Sequence, residues 1–357
     1  MRRNRTSNAA IVIGWINYGK AADCGETMKN QLMIQRLTEL GVHCRIIDIK
    51  GWLKRHWVFF QLAWDLVTHK NDTIIFSSSA ANTYPMMKTI YRVGWKQKTV
   101  HWVIGGLFGE RVMNGFFDRE VIKIIDHTLV KSPLMKEQLD NCGIRDVRVV
   151  PNFKPISYYP DIGWRKNHDE TRIIRFVYLS RIIPQKGCDY IIEAACALND
   201  RGLQDRFEID FYGKIDDGYK KSFLQNLSEL DNVHYSGFLN LRENTGYDIL
   251  SRNDMMLFPT YWPGEGFAGV FIDAQISGLP MIATDWRHNK YFLKENQTAV
   301  FIPVHDVDAL TEKMKICIQG EFDLYAMVQE CPKSAMDFDT KSVITAKLLI
   351  DINVLKS

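Results

Sequence analysis

Short apolar runs recur along the chain with helical patterns between them. The runs are 9–16 (AAIVIGWI), 43–49, 73–77 (TIIFS), 99–104 (TVHWVI), 127–130 and 147–150. They resume at 173–179 (IIRFVYL), 207–212 (FEIDFY), 255–259 (MMLFP), 280–284 (PMIAT) and 299–302. Between them, Met28, Leu32, Met33, Leu37 and Leu40 repeat at the 3.6-residue period, and Gly41 closes that helix. Residues 187–200 and 267–277 read the same way. Strands alternating with helices predict α/β architecture with doubly wound parallel sheets.

The alternation breaks at 151–171 (PNFKPISYYPDIGWRKNHDET), where prolines, aromatics and charges make a connection. The reading is two Rossmann-like domains, 1–160 and 161–335, facing each other across a cleft, with 336–357 as a C-terminal helix packing back on the first. Ligands are expected at the carboxyl ends of the strands.

Composition narrows the class. The chain has 357 residues, 46% hydrophobic and 24% charged, which excludes a disordered or fibrous protein. No apolar run reaches the roughly 18 residues of a membrane span. The basic start and the apolar run 9–16 imitate a signal peptide, but eight apolar residues with no clean cleavage site read better as a first strand. Seven scattered cysteines without a C-x-x-C pair indicate free thiols and a cytoplasmic protein. The net charge of +3 conceals an asymmetry: residues 1–160 hold 23 Lys+Arg against 13 Asp+Glu, net +10, and the remainder is net −7. A basic first half points to an anionic partner.

Candidate chemistry is uneven. Gly14 to Ala21 carries the spacing of a phosphate-binding P-loop, but Ala21 lacks the hydroxyl that would hold Mg²⁺. The better reading is a loose loop ending at Gly25, where backbone approaches a ligand and the following helix offers its amides to an anion. No G-x-G-x-x-G follows a strand, which leaves a dinucleotide oxidoreductase without its signature. Asp306-Val-Asp308 and Asp337-Phe-Asp339 read as solvated surface, and no metal site is expected.

The second half is stronger. Arg181 and Lys186 flank the turn after the 173–179 run, a planar fork and a point charge suited to phosphate. Glu265 follows the 255–259 run, ahead of Gly266, Phe267, Ala268, Gly269 and Val270, where bare amides at a helix start can hold a hydroxyl or phosphate. Asp273 lies two turns on, on the order of 10 Å from Glu265. That is too far for a shared proton and suits two ends of one elongated ligand.

Together, R-x-x-P-x-K-G and E-G-F-x-x-V-x-x-D-A-x-x-x-G-x-P-x-I-A-T resemble the GT-B retaining glycosyltransferases of glycosyltransferase family four. The resemblance runs from the first strand to about Asp308. It implies that Arg181 and Lys186 hold the diphosphate of a UDP- or GDP-sugar and stabilise the leaving nucleotide. Glu265 and the amides of Gly266–Gly269 would hold the donor sugar, and Asp273, in place of the usual second Glu, the ribose. His101 matches the histidine beside the donor sugar, Gly25 the glycine loop facing the diphosphate. Gly237, Phe238 and Leu239 match the stretch that holds the base. No metal is implied. The acceptor would be a glycan or lipid-linked saccharide of bacterial surface polysaccharide synthesis. The alternatives are a sugar-nucleotide epimerase on the same fold, an NTPase, and a non-catalytic nucleotide or carbohydrate binder.

The basic half also carries Trp52 to Trp64 and Met86 to Lys98, both mixing basic and aromatic residues. This mixture suits peripheral contact with an anionic membrane at its inner face. It equally suits a packed helix whose charges form its wet face. No nucleic-acid motif accompanies it.

Overall fold

The computed structural model describes residues 8–51, 57–163 and 172–356, with only the backbone of Phe59. Residues 52–56 of the first basic-aromatic stretch lie outside the described residues. The chain divides into two compact units, residues 1–155 with 338–357, and residues 156–337.

The first unit is one six-stranded sheet: β1 (Ala9–Gly14), β2 (His43–Asp48), β3 (Thr73–Ser77), β4 (Thr99–Trp102), β5 (His127–Val130) and β6 (Val147–Val149). Their order is β2-β1-β3-β4-β5-β6, and every pairing is parallel. Every residue of β1, β3, β4 and β5 is buried, as unbroken apolar runs require. One face packs on Val58, Met87, Ile90, Val112 and Leu139 from the helices that follow β2 to β5. The other packs on Met33 and Leu37 of the helix Gly25–Glu39 and on Ile344, Leu349 and Ile352 near the C-terminus.

The second unit holds β7 (Ile174–Leu179), β8 (Phe207–Tyr212), β9 (Val233–Gly237), β10 (Met255–Phe258), β11 (Met281–Thr284) and β12 (Ala299–Ile302), again parallel, in the order β12-β11-β10-β7-β8-β9. The chain leaves β7 toward β8 and β9, then crosses back to place β10 on the opposite side. Loops after β7 and β10 therefore diverge at a topological switch point, where α/β sheets open a ligand crevice.

The structure departs from the expected elements in three places. β9 follows no long apolar run: it is an edge strand in which Val233 alone is fully buried. The C-terminal segment is not one helix but two short ones, Thr340–Val343 and Ala346–Asp351. It is tied to the first unit by backbone bonds between Lys154 and both Phe338 and Thr340 and by Arg36 Nε donating to the Ile344 carbonyl at 3.1 Å. Third, the helix expected from residue 267 begins at Val270, with Gly269 as its N-cap. Phe267 instead turns inward and stacks on Phe292 with ring centroids 3.9 Å apart.

Candidate active site

Residues 156–337 bring the β7 and β10 loops together. After β7 the chain makes one tight turn, Pro184–Lys186, closed by Gly187 in a left-handed conformation (φ +79°). A Cβ on Gly187 would lie 2.2 Å from the Pro259 carbonyl oxygen, so the turn approaches the end of β10 as only glycine allows. The Tyr261 amide donates to the Gln185 carbonyl at 2.9 Å and laces the loops.

Within this contact Lys186 and Glu265, 6% and 5% exposed, form an ion pair through Lys186 Nζ and Glu265 Oε2. Thr260 Oγ1 donates to the same oxygen at 2.9 Å, and Thr284 Oγ1 holds the Thr260 carbonyl at 2.6 Å. Glu265 Oε1 receives no hydrogen bond among the described residues and is open to a further donor. A buried charge is retained only with partners of this kind. Thr260 was not singled out from sequence; one threonine after a strand end has no distinguishing signal.

Arg181 differs. It is exposed, and its guanidinium lies over the Trp262 ring, 5.3 Å from the centroid. Trp262 belongs to the loop that carries Glu265, and Trp286 Nε1 donates to its carbonyl at 2.9 Å. Arg181 thus meets an aromatic face, and its guanidinium forms no ion pair or hydrogen bond among the described residues.

The remaining candidates of this unit have other surroundings. Asp273 is buried in the helix Val270–Ile276 and accepts from the Tyr247 hydroxyl at 3.0 Å. Gly266, Ala268 and Val270 line a turn that is partly open, and Gly269 is exposed. Gly237 has φ +81°, and its carbonyl accepts the Gly213 amide at 2.8 Å. Past it, Leu239 turns into the interior and Phe238 is 80% exposed.

In the first unit, His101 lies in β4 between Phe76 and Thr128. It is 0% exposed, its ring meets Phe108 edge-on at 4.8 Å, and neither ring nitrogen has a hydrogen-bond partner among the described residues. Burial pulls its pKa down to about 3, so the ring is neutral at physiological pH. Gly25 opens the helix Gly25–Glu39 and is exposed; a Cβ there would meet nothing within 4 Å. The fold itself leaves room at Gly25. Glu26 accepts from the Ser78 hydroxyl and from the Ser79 amide at 3.3 Å, joining this helix start to the end of β3. Burial, its largest influence, raises the Glu26 pKa.

Two parallel six-stranded sheets with flanking helices give the chain the GT-B fold. Residues 162–333 match the family model of the glycosyl transferases group 1. The fold is similar to Anabaena Alr3699/HepE, solved in complex with UDP: TM-score 0.72, 12% identity, covering 97% of this chain and 100% of that one. Among sequence relatives, an uncharacterised 41.2 kDa protein of the cps region of Klebsiella pneumoniae is 24% identical over 150 residues, 42% of this chain. The poly(ribitol-phosphate) alpha-N-acetylglucosaminyltransferase of Staphylococcus aureus is 22% identical over 251 residues, 70% of this chain. The matches span 38% and 49% of those two relatives' own lengths.

Proposed function

We propose that the protein is a retaining glycosyltransferase. It moves a sugar from a UDP- or GDP-sugar to a hydroxyl of a glycan or lipid-linked acceptor, in bacterial surface polysaccharide synthesis at the cytoplasmic face of the membrane. The observation that carries this is the buried Lys186–Glu265 pair beside Arg181 at the switch point. An ammonium has three protons, so Lys186 can keep Glu265 and still donate to a phosphate oxygen. Arg181 offers its fork to the same diphosphate. Glu265 Oε1 and the amides after it suit sugar hydroxyls. The names of similar proteins support the reading: structures of the Anabaena protein contain UDP and UDP-glucose, and the Staphylococcus aureus relative transfers N-acetylglucosamine.

In this reading Glu265, already bonded by Lys186 and Thr260, is poorly suited to act as a base. The acceptor oxygen attacks the anomeric carbon from the side of the leaving group. The bond to the phosphate oxygen breaks, and that oxygen takes the acceptor proton. Arg181 and Lys186 stabilise the charge that develops. Positive side chains supply the role a divalent cation fills elsewhere, so turnover needs no added metal.

The test is a thermal-shift screen of nucleoside diphosphates and their sugars, since only a ligand bound by the folded state raises its stability. The best donor is then incubated with acceptors in chelator, and the anomeric coupling of the first product is read by proton NMR. Retention without metal is expected. Inversion, a metal requirement, or an altered sugar nucleotide formed without acceptor would overturn the respective part of the proposal.

A further inference from the structure

The helix Trp57–Thr68 is apolar on two opposite faces. Val58 is buried, and Leu62 and Leu66 pack against the core of the first unit. On the other side Trp57, Phe60, Trp64 and Val67 are 58%, 78%, 69% and 58% exposed. At 3.6 residues per turn these four fall within one sector of about 80°. A helix apolar all round is ordinarily enclosed, and an exposed stripe of large apolar side chains marks an interaction surface. Twelve residues are only about 18 Å long, too short to span a bilayer. Among the described residues no helix is long and apolar enough to do so.

Charge identifies what covers the stripe. The helix Ala80–Val93 packs on the same core and exposes Lys88, Tyr91 and Arg92; Lys70 and Lys96 are exposed nearby in sequence. None of Lys70, Lys88, Arg92 and Lys96 forms an ion pair among the described residues. Residues 57–98 hold two carboxylates. Asp65 is buried, and Asp72 pairs with Arg45 at 3.1 Å. The outward residues of these two helices on one core therefore include tryptophans and positive charges that form no ion pair among the described residues. A second copy of the chain would set this surface against itself, like charge on like. Anionic lipid satisfies both parts, taking the aromatic rings at headgroup level and the cations at phosphate.

We propose that the exposed face of helix 57–68, with the basic residues of helix 80–93, docks the protein on an anionic bilayer. The surface deepens the membrane placement proposed above. Vesicle binding, read without donor or acceptor, succeeds or fails independently of sugar transfer.

The full chain is co-sedimented with phosphatidylglycerol–phosphatidylcholine vesicles and with phosphatidylcholine alone, and its tryptophan emission is recorded. Binding to the anionic vesicles with a blue shift is expected, weakening as salt screens the charges. Phe60→Ser with Trp64→Ser should weaken binding tenfold or more, and Lys88→Glu with Arg92→Glu should remove the preference for anionic lipid. All four side chains are exposed, and thermal unfolding verifies that both variants fold. Vesicle binding unchanged in either variant overturns the proposal. So does a salt-stable dimer that Phe60→Ser with Trp64→Ser dissociates and that does not bind vesicles.

Discussion

The two units share strand number, direction and winding, yet Lys186 and Glu265 in one and His101 and Lys29 in the other are buried in opposite ways. In residues 156–337, Lys186 and Glu265 are enclosed as a pair, with Thr260 and Thr284 behind them. In the first unit, the nitrogens of His101 and Lys29 are enclosed with no hydrogen-bond partner among the described residues. Lys29 Nζ lies 5.4 Å from the Phe153 ring centroid, and burial, with Lys131 adding to it, pulls its pKa well down. Each unmet polar group costs about 1–3 kcal/mol. The second unit thus holds its site assembled before any ligand arrives. The first encloses polar groups that find no hydrogen-bond partner among the described residues.

The comparison is broken most forcefully at Lys186. Lys186→Ala leaves Glu265 buried without its cation and should destabilise the fold by about 3–5 kcal/mol. Arg181→Ala removes an exposed side chain and should change stability by no more than about 0.5 kcal/mol. Both should lower turnover about 100-fold or more, because each removes a charge from the leaving diphosphate. Urea denaturation and steady-state rates together separate the two. A Lys186→Ala chain as stable as the parent would show that the pair does not hold the loops, and a fully active Arg181→Ala chain would remove Arg181 from the site.

That contrast also marks what sequence could show. Runs such as TIIFS and MMLF reveal buried strands because every position is enclosed. β9 escaped because an edge strand with one fully buried residue leaves no such run. Arg181, Lys186 and Glu265 were legible as motifs, each beside a strand end. Their arrangement was not: Lys186 and Glu265 are 79 residues apart, and only the β7–β10 adjacency joins them. Phe267 lay in a run with helical spacing, but its stacking on Phe292 is a tertiary contact that holds it before the helix. The two short C-terminal helices answer to the core around Ile344 and Leu349, which no local pattern states.

A smaller effect sharpens the comparison at His101. Its folded-state pKa is about 3 against an ordinary 6.5. Below 6.5 the unfolded chain takes up a proton that the folded chain refuses. The contribution to stability is therefore fully present above about pH 6.5 and is lost as pH falls toward 3. The loss is about 1.4 kcal/mol per pH unit where the difference is one proton. His101→Phe should flatten the acid limb of the stability curve by that slope relative to the parent. Equal slopes between pH 6 and 4 would mean that the ring is protonated, and paired, inside the fold.

The smallest expected effect lies at Phe238. Its ring is 80% exposed at the end of an edge strand, just past Gly237, whose left-handed backbone turns the chain. Such a side chain adds almost nothing to the fold, so Phe238→Ala should leave stability within about 0.5 kcal/mol. By the resemblance drawn from sequence it belongs to the stretch that holds the nucleotide base. An aromatic contact of that kind contributes about 0.5–1.5 kcal/mol, or roughly 2- to 12-fold in donor KM, with kcat unchanged because the base does not react. Leu239, turned into the core beside it, provides the control: Leu239→Ala should lower stability and leave donor KM near the parent value. Should Phe238→Ala alter kcat and not KM, the ring would be acting on the reacting end of the donor. An unchanged KM with an intact fold would place the base against another part of the second unit.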